Sequence, residues 1–368
     1  MSGSQRGSRV GRGMRGRGAA SITGVVVLAA LVWLLQRAGE AERAVGGRDT
    51  AGGRSLASGG GLDSGREPRA PRSLGNAELS TPGTTRRIGS WNIEWLGSPS
   101  KRSGVGTGIA QAPEDLAAYV AFSGVSLLCL QEIVATRDAA EGPRNDALDA
   151  VEAELEVRTG RDWRYELFEG RNPDDQLLGV LWDTGAWSPV ERESWGVRIT
   201  GGRSVSGSVL WARRPRAMKF SAGERLTDLV VVAVHMKADF DGDFAEHRRE
   251  EAEALARALP EARKAMHDDD LVVMGDTNCT GKNERAITAL RSAGLFDPNT
   301  KGERTHWRGG AMDKTLVPAD QPEFAGHRFE VMSDRYLEAR RWSPEEFKRR
   351  LSDHYMVVTE VRVMRDDD

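Results

Sequence analysis

The sequence predicts a mixed α/β domain, a β-sheet core with helices outside it, over residues 87–364. Two observations carry that reading. Apolar runs without alternation, such as LVVVAV from Leu229 and LVVM from Leu271, are what strands covered on both faces look like. The segments between such runs are too long for hairpins throughout, so helices cover the sheet. No internal repeat is present.

The elements follow in order. RIGSWNI from Arg87 is a strand. APEDLAAYVAFSG is an amphipathic helix, with Pro113 near its start and acids in its first turn. VSLLCLQE is an apolar strand ending in two polar residues. NDALDAVEAELEVRTG is a helix stopped by Gly160. LLGVLWDT and SGSVLWARR are predicted strands, and DLVVVAVHMKA is a long one. EHRREEAEALARAL is a helix. LVVMGDTN is a strand, ERAITALRSAGL a short helix and HYMVVTEVRV a final alternating strand.

The N-terminus differs from the rest. Its first 85 residues hold twelve arginines against six acids, a net +6, whereas the remainder carries 40 basic and 49 acidic residues, a net −9. Residues 1–18 are a basic tail. Residues 19–35 are uncharged and mostly apolar, strongest over GVVVLAALVWLL. Residues 36–86 are a Gly/Ser/Arg-rich linker without apolar period. A basic head before an apolar run reads as an export segment. It is expected to be an uncleaved single-pass membrane anchor, with a cleaved secretion signal or a buried helix as alternatives. The domain would then lie outside the cytoplasm. Its acidic balance excludes the overall basic field of a high-affinity nucleic-acid binder, so a polyanionic substrate needs a local basic patch or a divalent cation. Cys129 and Cys279 are expected to be buried thiols, since nothing in the sequence brings them together.

SWNIEWLG, from Ser90, places Trp91, Ile93 and Trp95 on one face of a strand and Asn92 and Glu94 on the other. Other apolar strands end similarly. LCLQE carries Glu132, VVAVHMK carries His235, VVMGDTN carries Asp276 and Asn278, and LSDHYMVV carries Asp353 and His354 before its strand. Ionisable residues at the ends of buried strands are costly unless they converge on a task.

The order N…QE…H…GDxN…SDH, on strands, resembles the endonuclease/exonuclease/phosphatase superfamily, the DNase I-like fold. The resemblance covers residues 87–364. It implies a four-layered α/β sandwich of two packed mixed β-sheets flanked by helices, and divalent-metal phosphoester hydrolysis at one end of it. Mg²⁺ or Mn²⁺ is implied, with Ca²⁺ as an alternative. Carried over by position, Glu132 is the main metal carboxylate with Asn92 beside it, and Asp353 serves the metal or the adjacent network. Asp276 orients or deprotonates the attacking water, and Asn278 positions water and phosphate. His235 and His354 bracket the scissile phosphate, and Asp313 orients His354.

These residue types suit the reaction on chemical grounds. A hard cation with few protein carboxylates leaves room for phosphate oxygens. Imidazoles serve the phosphate near neutral pH. There are two departures. Gln176 stands where relatives often carry the Glu that orients the first histidine, with Asp174 and Asp175 before it. Lys314 replaces a common aromatic.

Lys237, Arg171 and Arg203 are candidate phosphate contacts. Trp307 and Arg308 form either a stacking lip or a packed loop tip. The basic stretch Ser333–His354 is a lid or a solvated helical face. His247, His267, His306 and His327 are expected to be structural or surface residues. The leading expectation is a nuclease cutting DNA, with RNA as a second polymer. It acts as a monomer, without a protein partner, held to a membrane by the N-terminal segment. A lipid phosphodiesterase or phosphomonoesterase is the alternative, and a non-catalytic binding module the third reading.

Overall fold

The computed structural model describes residues 82–366 apart from 103–109, 140–141, 171–174, 191–201, 240–241, 282 and 327. The basic tail, the 19–35 segment, residues 36–81 of the linker and Arg171 lie outside the described residues. No helix among the described residues is long and apolar enough to cross a membrane.

Two six-stranded mixed sheets form the core. The first holds β1 (Thr85–Leu96), β2 (Leu127–Ile133), β5 (Trp163–Leu167), β6 (Leu177–Asp183), β13 (Phe329–Val331) and β14 (Val357–Arg362), in the order β13-β14-β1-β2-β6-β5. The second holds β7 (Ser188–Val190), β8 (Arg216–Ser221), β9 (Asp228–His235), β10 (Leu271–Asp276), β11 (Leu295–Phe296) and β12 (Asp313–Pro318), in the order β11-β12-β10-β9-β8-β7. Each sheet has one parallel pair, β1 with β2 and β9 with β10, flanked by antiparallel neighbours. A small hairpin, β3 (Arg137–Ala139) with β4 (Gly142–Arg144), stands apart.

Strand alternation sorts the side chains into three apolar clusters. Ile88, Cys129, Val180, Val231, Ala233, Val272, Met274 and Val317 fill the space between the sheets. The outer face of the first sheet packs against α1 (Pro113–Ser123), α2 (Asp146–Thr159), α5 (Asp334–Arg340) and α6 (Pro344–Arg350). The outer face of the second packs against α3 (Ala245–Met266) and α4 (Arg285–Ser292). The layers are helices, sheet, sheet, helices, as the sequence reading expected. The helix signals act as read: Pro113 opens α1, Asn145 accepts from Leu148 N–H at 2.9 Å to cap α2, and Gly160 ends α2 in left-handed conformation.

One predicted strand is corrected. SGSVLWARR forms no strand; within it only Val209 joins an isolated bridge, to Arg203. Leu210 and Trp211 are buried in the cluster under α3 instead. Pro215 has no N–H for a ladder, and the strand begins after it, at Arg216. Cys129 and Cys279 are both buried and free, as expected.

Candidate active site

The alternation that fills the inter-sheet core also builds the site. On β1 the inward positions run Ile88, Ser90, Asn92, and on β2 they run Leu127, Cys129, Gln131. On β9 they run Val231, Ala233, His235; on β10, Val272, Met274, Asp276; on β12, from the opposite direction, Val317, Thr315, Asp313. Five strands thus end their apolar ladders in polar side chains at one end of the sandwich. Gly275 permits this approach, because a Cβ there would sit 1.9 Å from the Val234 carbonyl oxygen. Close pairing then sets Asp276 opposite His235 on one side and Asp313 on the other.

Glu132 follows Gln131 and would point to the outer face in a regular strand. The register of β2 with β6 breaks between Leu130 and Ile133, and Glu132 adopts left-handed backbone with φ 62°. Its carboxylate accepts from Asn92 Nδ2 at 3.0 Å. The same Nδ2 donates to Asp276 Oδ2 at 3.1 Å, while Asn92 Oδ1 accepts from Glu94 N–H at 3.0 Å. Asn92 therefore ties two carboxylates from two sheets together. Asp276 Oδ1 accepts from the backbone N–H of Asn278, which also has left-handed φ (51°), and Asn278 Nδ2 donates to the Met236 carbonyl. Backbone in sparsely populated regions clusters where function over-determines it.

The two histidines are held differently. His354 Nδ1 donates to Asp313 Oδ2 at 2.8 Å, and its Nε2 lies 3.8 Å from Asp276 Oδ2 and 3.9 Å from Asp353 Oδ1. His235 Nε2 lies 3.7 Å from Asp276 Oδ2 and 3.8 Å from Glu132 Oε1, and its buried Nδ1 has no partner. Charge follows geometry. Burial works against the imidazolium of His354, but Asp313, Asp276 and Asp353 outweigh it and hold its pKa well above the ordinary value. Burial, with Arg213 and His354 adding repulsion, pushes His235 well below that value. Burial raises Glu132 to about 7 and raises Asp276 as well. For Asp353 burial acts upward too, but His306, His354 and Lys348 draw the carboxyl below its usual range.

The donor set fits a divalent cation. Glu132 is a partly buried carboxylate whose charge is disfavoured by desolvation and by the nearby Asp353. A hard cation would relieve both effects, and oxygen ligands are what Mg²⁺ and Mn²⁺ take. Asn92 orients these carboxylates through Nδ2, and its Oδ1, which accepts from Glu94 N–H, keeps a second lone pair that a cation could use.

The structure thus brings together Asn92, Glu132, His235, Asp276, Asn278, Asp313, Asp353 and His354. The phosphate-contact candidates fare differently. Lys237 Nζ lies 4.3 Å over the Phe244 ring. Arg203 donates to the carbonyl of Gly207 in its own exposed loop. Gln176 forms no hydrogen bond to a histidine among the described residues; its Oε1 accepts from Arg213 at 3.2 Å. In the Ser333–His354 stretch, Arg340 and Arg350 pair with Asp115 and Arg349 with Glu346, while Phe347 and Leu351 are buried. That stretch is packed onto the domain.

Two site residues were missed. Arg213 donates to the carbonyl oxygens of His235 and Met236 at 3.4 and 3.0 Å and stands behind Glu132. Nothing in ARRPR marked it, because its partners are backbone atoms distant in sequence. His306 was expected to be structural or surface. It forms an isolated bridge with His354, and its Nε2 lies 3.7 Å from Asp353 Oδ2.

The Endonuclease/Exonuclease/phosphatase family model matches residues 89–354. The chain belongs to this family. It is therefore a metal-dependent phosphoester hydrolase. The fold is similar to a family protein from Bacteroides thetaiotaomicron, with 16% identity over 77% of this chain and 99% of that one and a TM-score of 0.51. It is also similar to one from Bacteroides vulgatus, with 14% identity over 76% and 99% and a TM-score of 0.51. A third similar structure is D. rerio TDP2 complexed with single strand DNA product, with 17% identity over 76% and 99% and a TM-score of 0.48. None of the curated proteins compared with the chain matches it.

Proposed function

We propose that this hydrolase is a nuclease that cuts phosphodiesters in DNA, and RNA secondarily, with Mg²⁺ or Mn²⁺ at Glu132. The observation that carries the substrate reading is the rim beside His354. Trp307, whose backbone N–H donates to the Asp353 carbonyl, has Arg308 and Lys348 over its ring, each 4.9 Å from the centroid. Trp307 is partly buried against the cluster of the first sheet and Lys348 is buried, so the exposed Arg308 beside the indole is the part of this rim suited to a nucleotide's phosphate and base.

The chain's residues divide the work. A divalent cation bound at Glu132, with Asp353 nearby, supplies charge neutralisation for the phosphate. Asp276, its pKa raised by burial, is suited to orient an attacking water and take its proton. Asn278 fixes Asp276 through its backbone N–H. His354, locked by Asp313 with Nε2 facing the site, donates to the developing negative charge as an imidazolium. His235 offers a neutral ring at the opposite side of Asp276.

One observation favours a smaller phosphoester. Arg335, Arg340, Arg349 and Arg350 of Ser333–His354 are paired with carboxylates, which interrupts the basic track of that stretch. A lipid diester has less support, since the large exposed apolar side chains among the described residues are scattered: Phe122, Val157, Val205, Val209 and Phe296. Residues 19–35 would tether a monomeric enzyme to a membrane, with the domain outside the cytoplasm.

The test uses the full-length chain with supercoiled plasmid, sphingomyelin and a phosphomonoester, each with Mg²⁺, with EDTA, and with Glu132→Ala and Asp276→Ala. Metal-dependent nicking that both variants lose supports the nuclease. Intact plasmid with lipid or monoester hydrolysed under the same dependence would keep the site and replace the substrate.

A further inference from the structure

We propose that His306, Asp353 and His354 form a second metal site, selective for Zn²⁺ and similar ions, through which such ions block the hydrolase. The ligand atoms of these three side chains lie within 4.8 Å of one another. The Asp353 carboxylate sits between the rings, 3.7 Å from His306 Nε2 through Oδ2 and 3.9 Å from His354 Nε2 through Oδ1. Zinc bonds to nitrogen and carboxylate oxygen are about 2.0–2.2 Å, which places tetrahedral ligands roughly 3.4 Å apart. Metal binding would have to draw the three ligand atoms together by side-chain rotation.

The backbone already fixes the pair. His306 and His354 face each other across an isolated bridge, stapled on one side by Trp307 N–H to the Asp353 carbonyl (2.8 Å) and on the other by Tyr355 N–H to the Thr305 carbonyl (2.7 Å). The rings stand 4.9 Å apart, edge to face. His354 Nδ1 is committed to Asp313, so Nε2 is the nitrogen left for a metal. A carboxylate behind a ligating imidazole is the usual support of a zinc histidine. Two effects oppose it: His354 Nε2 must release its proton to solvent as the metal binds, and one weak contact is lost. His306 Nδ1 accepts from Arg308 N–H at 3.3 Å, and a metal on Nε2 would place the ring proton on Nδ1 and break it.

Two imidazoles and one carboxylate suit Zn²⁺, Co²⁺ or Cu²⁺, whereas the Glu132 side offers oxygen and suits Mg²⁺. An ion here occupies His354 Nε2, the atom assigned to the phosphate. That blocking half rests on the proposed role of His354; the binding half does not.

The experiment titrates the full-length chain with ZnCl₂ in excess Mg²⁺ by calorimetry, and with CoCl₂ by the visible absorption of tetrahedral Co²⁺. His306→Ala and His306→Gln remove one ligand; Glu132→Gln changes a carboxylate that is not a ligand of the proposed site. The expected result is one Zn²⁺ per chain, an affinity about tenfold or more weaker in both His306 variants, and little change in Glu132→Gln. Zn²⁺ should inhibit Mg²⁺-dependent hydrolysis, with inhibition about tenfold weaker in His306→Ala. Equal affinity in wild type and both His306 variants overturns the site. So does binding lost in Glu132→Gln but kept in His306→Ala. Binding as expected without inhibition overturns the blocking half. If no substrate is hydrolysed at all, the nuclease reading fails while calorimetry still decides the site.

Discussion

The two histidine sides of the site sit at equal depth and are built on opposite plans. His354 is backed by a carboxylate, Asp313, through a 2.8 Å hydrogen bond, with further acids around it. His235 has no partner at Nδ1, and Arg213, rather than an acid, stands behind it. Both rings are buried within 4 Å of Asp276 Oδ2, so burial alone cannot separate them. The neighbours' charge does. One ring is made a cation that can stabilise negative charge, and the other is kept neutral.

Breaking the comparison starts with what both sides share. Glu132→Ala, or removal of divalent metal with EDTA, should lower kcat/KM on the order of a thousandfold, the scale of several kcal/mol of lost charge stabilisation. Steady-state rates with and without added Mg²⁺ check this.

Next comes the His354 side. His354→Ala should cost about 10²–10⁴-fold in kcat, and His235→Ala distinctly less, because only the charged ring is placed to donate to the phosphate. Equal losses would erase the distinction between the rings.

Asp313→Asn should cost stability as well as activity, about 3 kcal/mol for breaking a buried pair. The sign follows from His354. Its folded pKa is raised, so the pair's stabilisation is full below the unfolded value of about 6.5 and is lost as pH rises through the folded one. The gap between variant and wild type in urea melts should therefore be larger at acidic than at strongly alkaline pH.

The smallest effects belong to the other side. Arg213→Ala removes the donors to Gln176, His235 O and Met236 O and should cost about tenfold in kcat/KM, near the loss expected for one such hydrogen-bond set. Gln176→Glu should change rates less than about threefold, because Gln176 hydrogen-bonds to Arg213 and not to His235. A large gain would mean that the residue orients the histidine after all.

The strand ends were legible because period two is rigid. Once Ile88, Cys129, Ala233 and Met274 face the core, Asn92, His235 and Asp276 must face the same way. Glu132 was placed by resemblance, and its inward turn depends on a register break that no composition reveals. Arg213 and His306 lay outside that logic. Both sit on irregular backbone, held by carbonyls and a single bridge whose partners are set by the tertiary fold. The SGSVLWARR segment misled for a related reason: Leu210 and Trp211 are buried under a helix without a strand.

The most direct test of the two-plan site is the ring-nitrogen NMR of His235 and His354 in the Mg²⁺-loaded, full-length protein near neutral pH, assigned with single-histidine variants. The account predicts two protonated nitrogens on His354, with a downfield Nδ1 proton that disappears in Asp313→Ala, and one protonated nitrogen on His235. Two neutral rings, or two cationic ones, would contradict it.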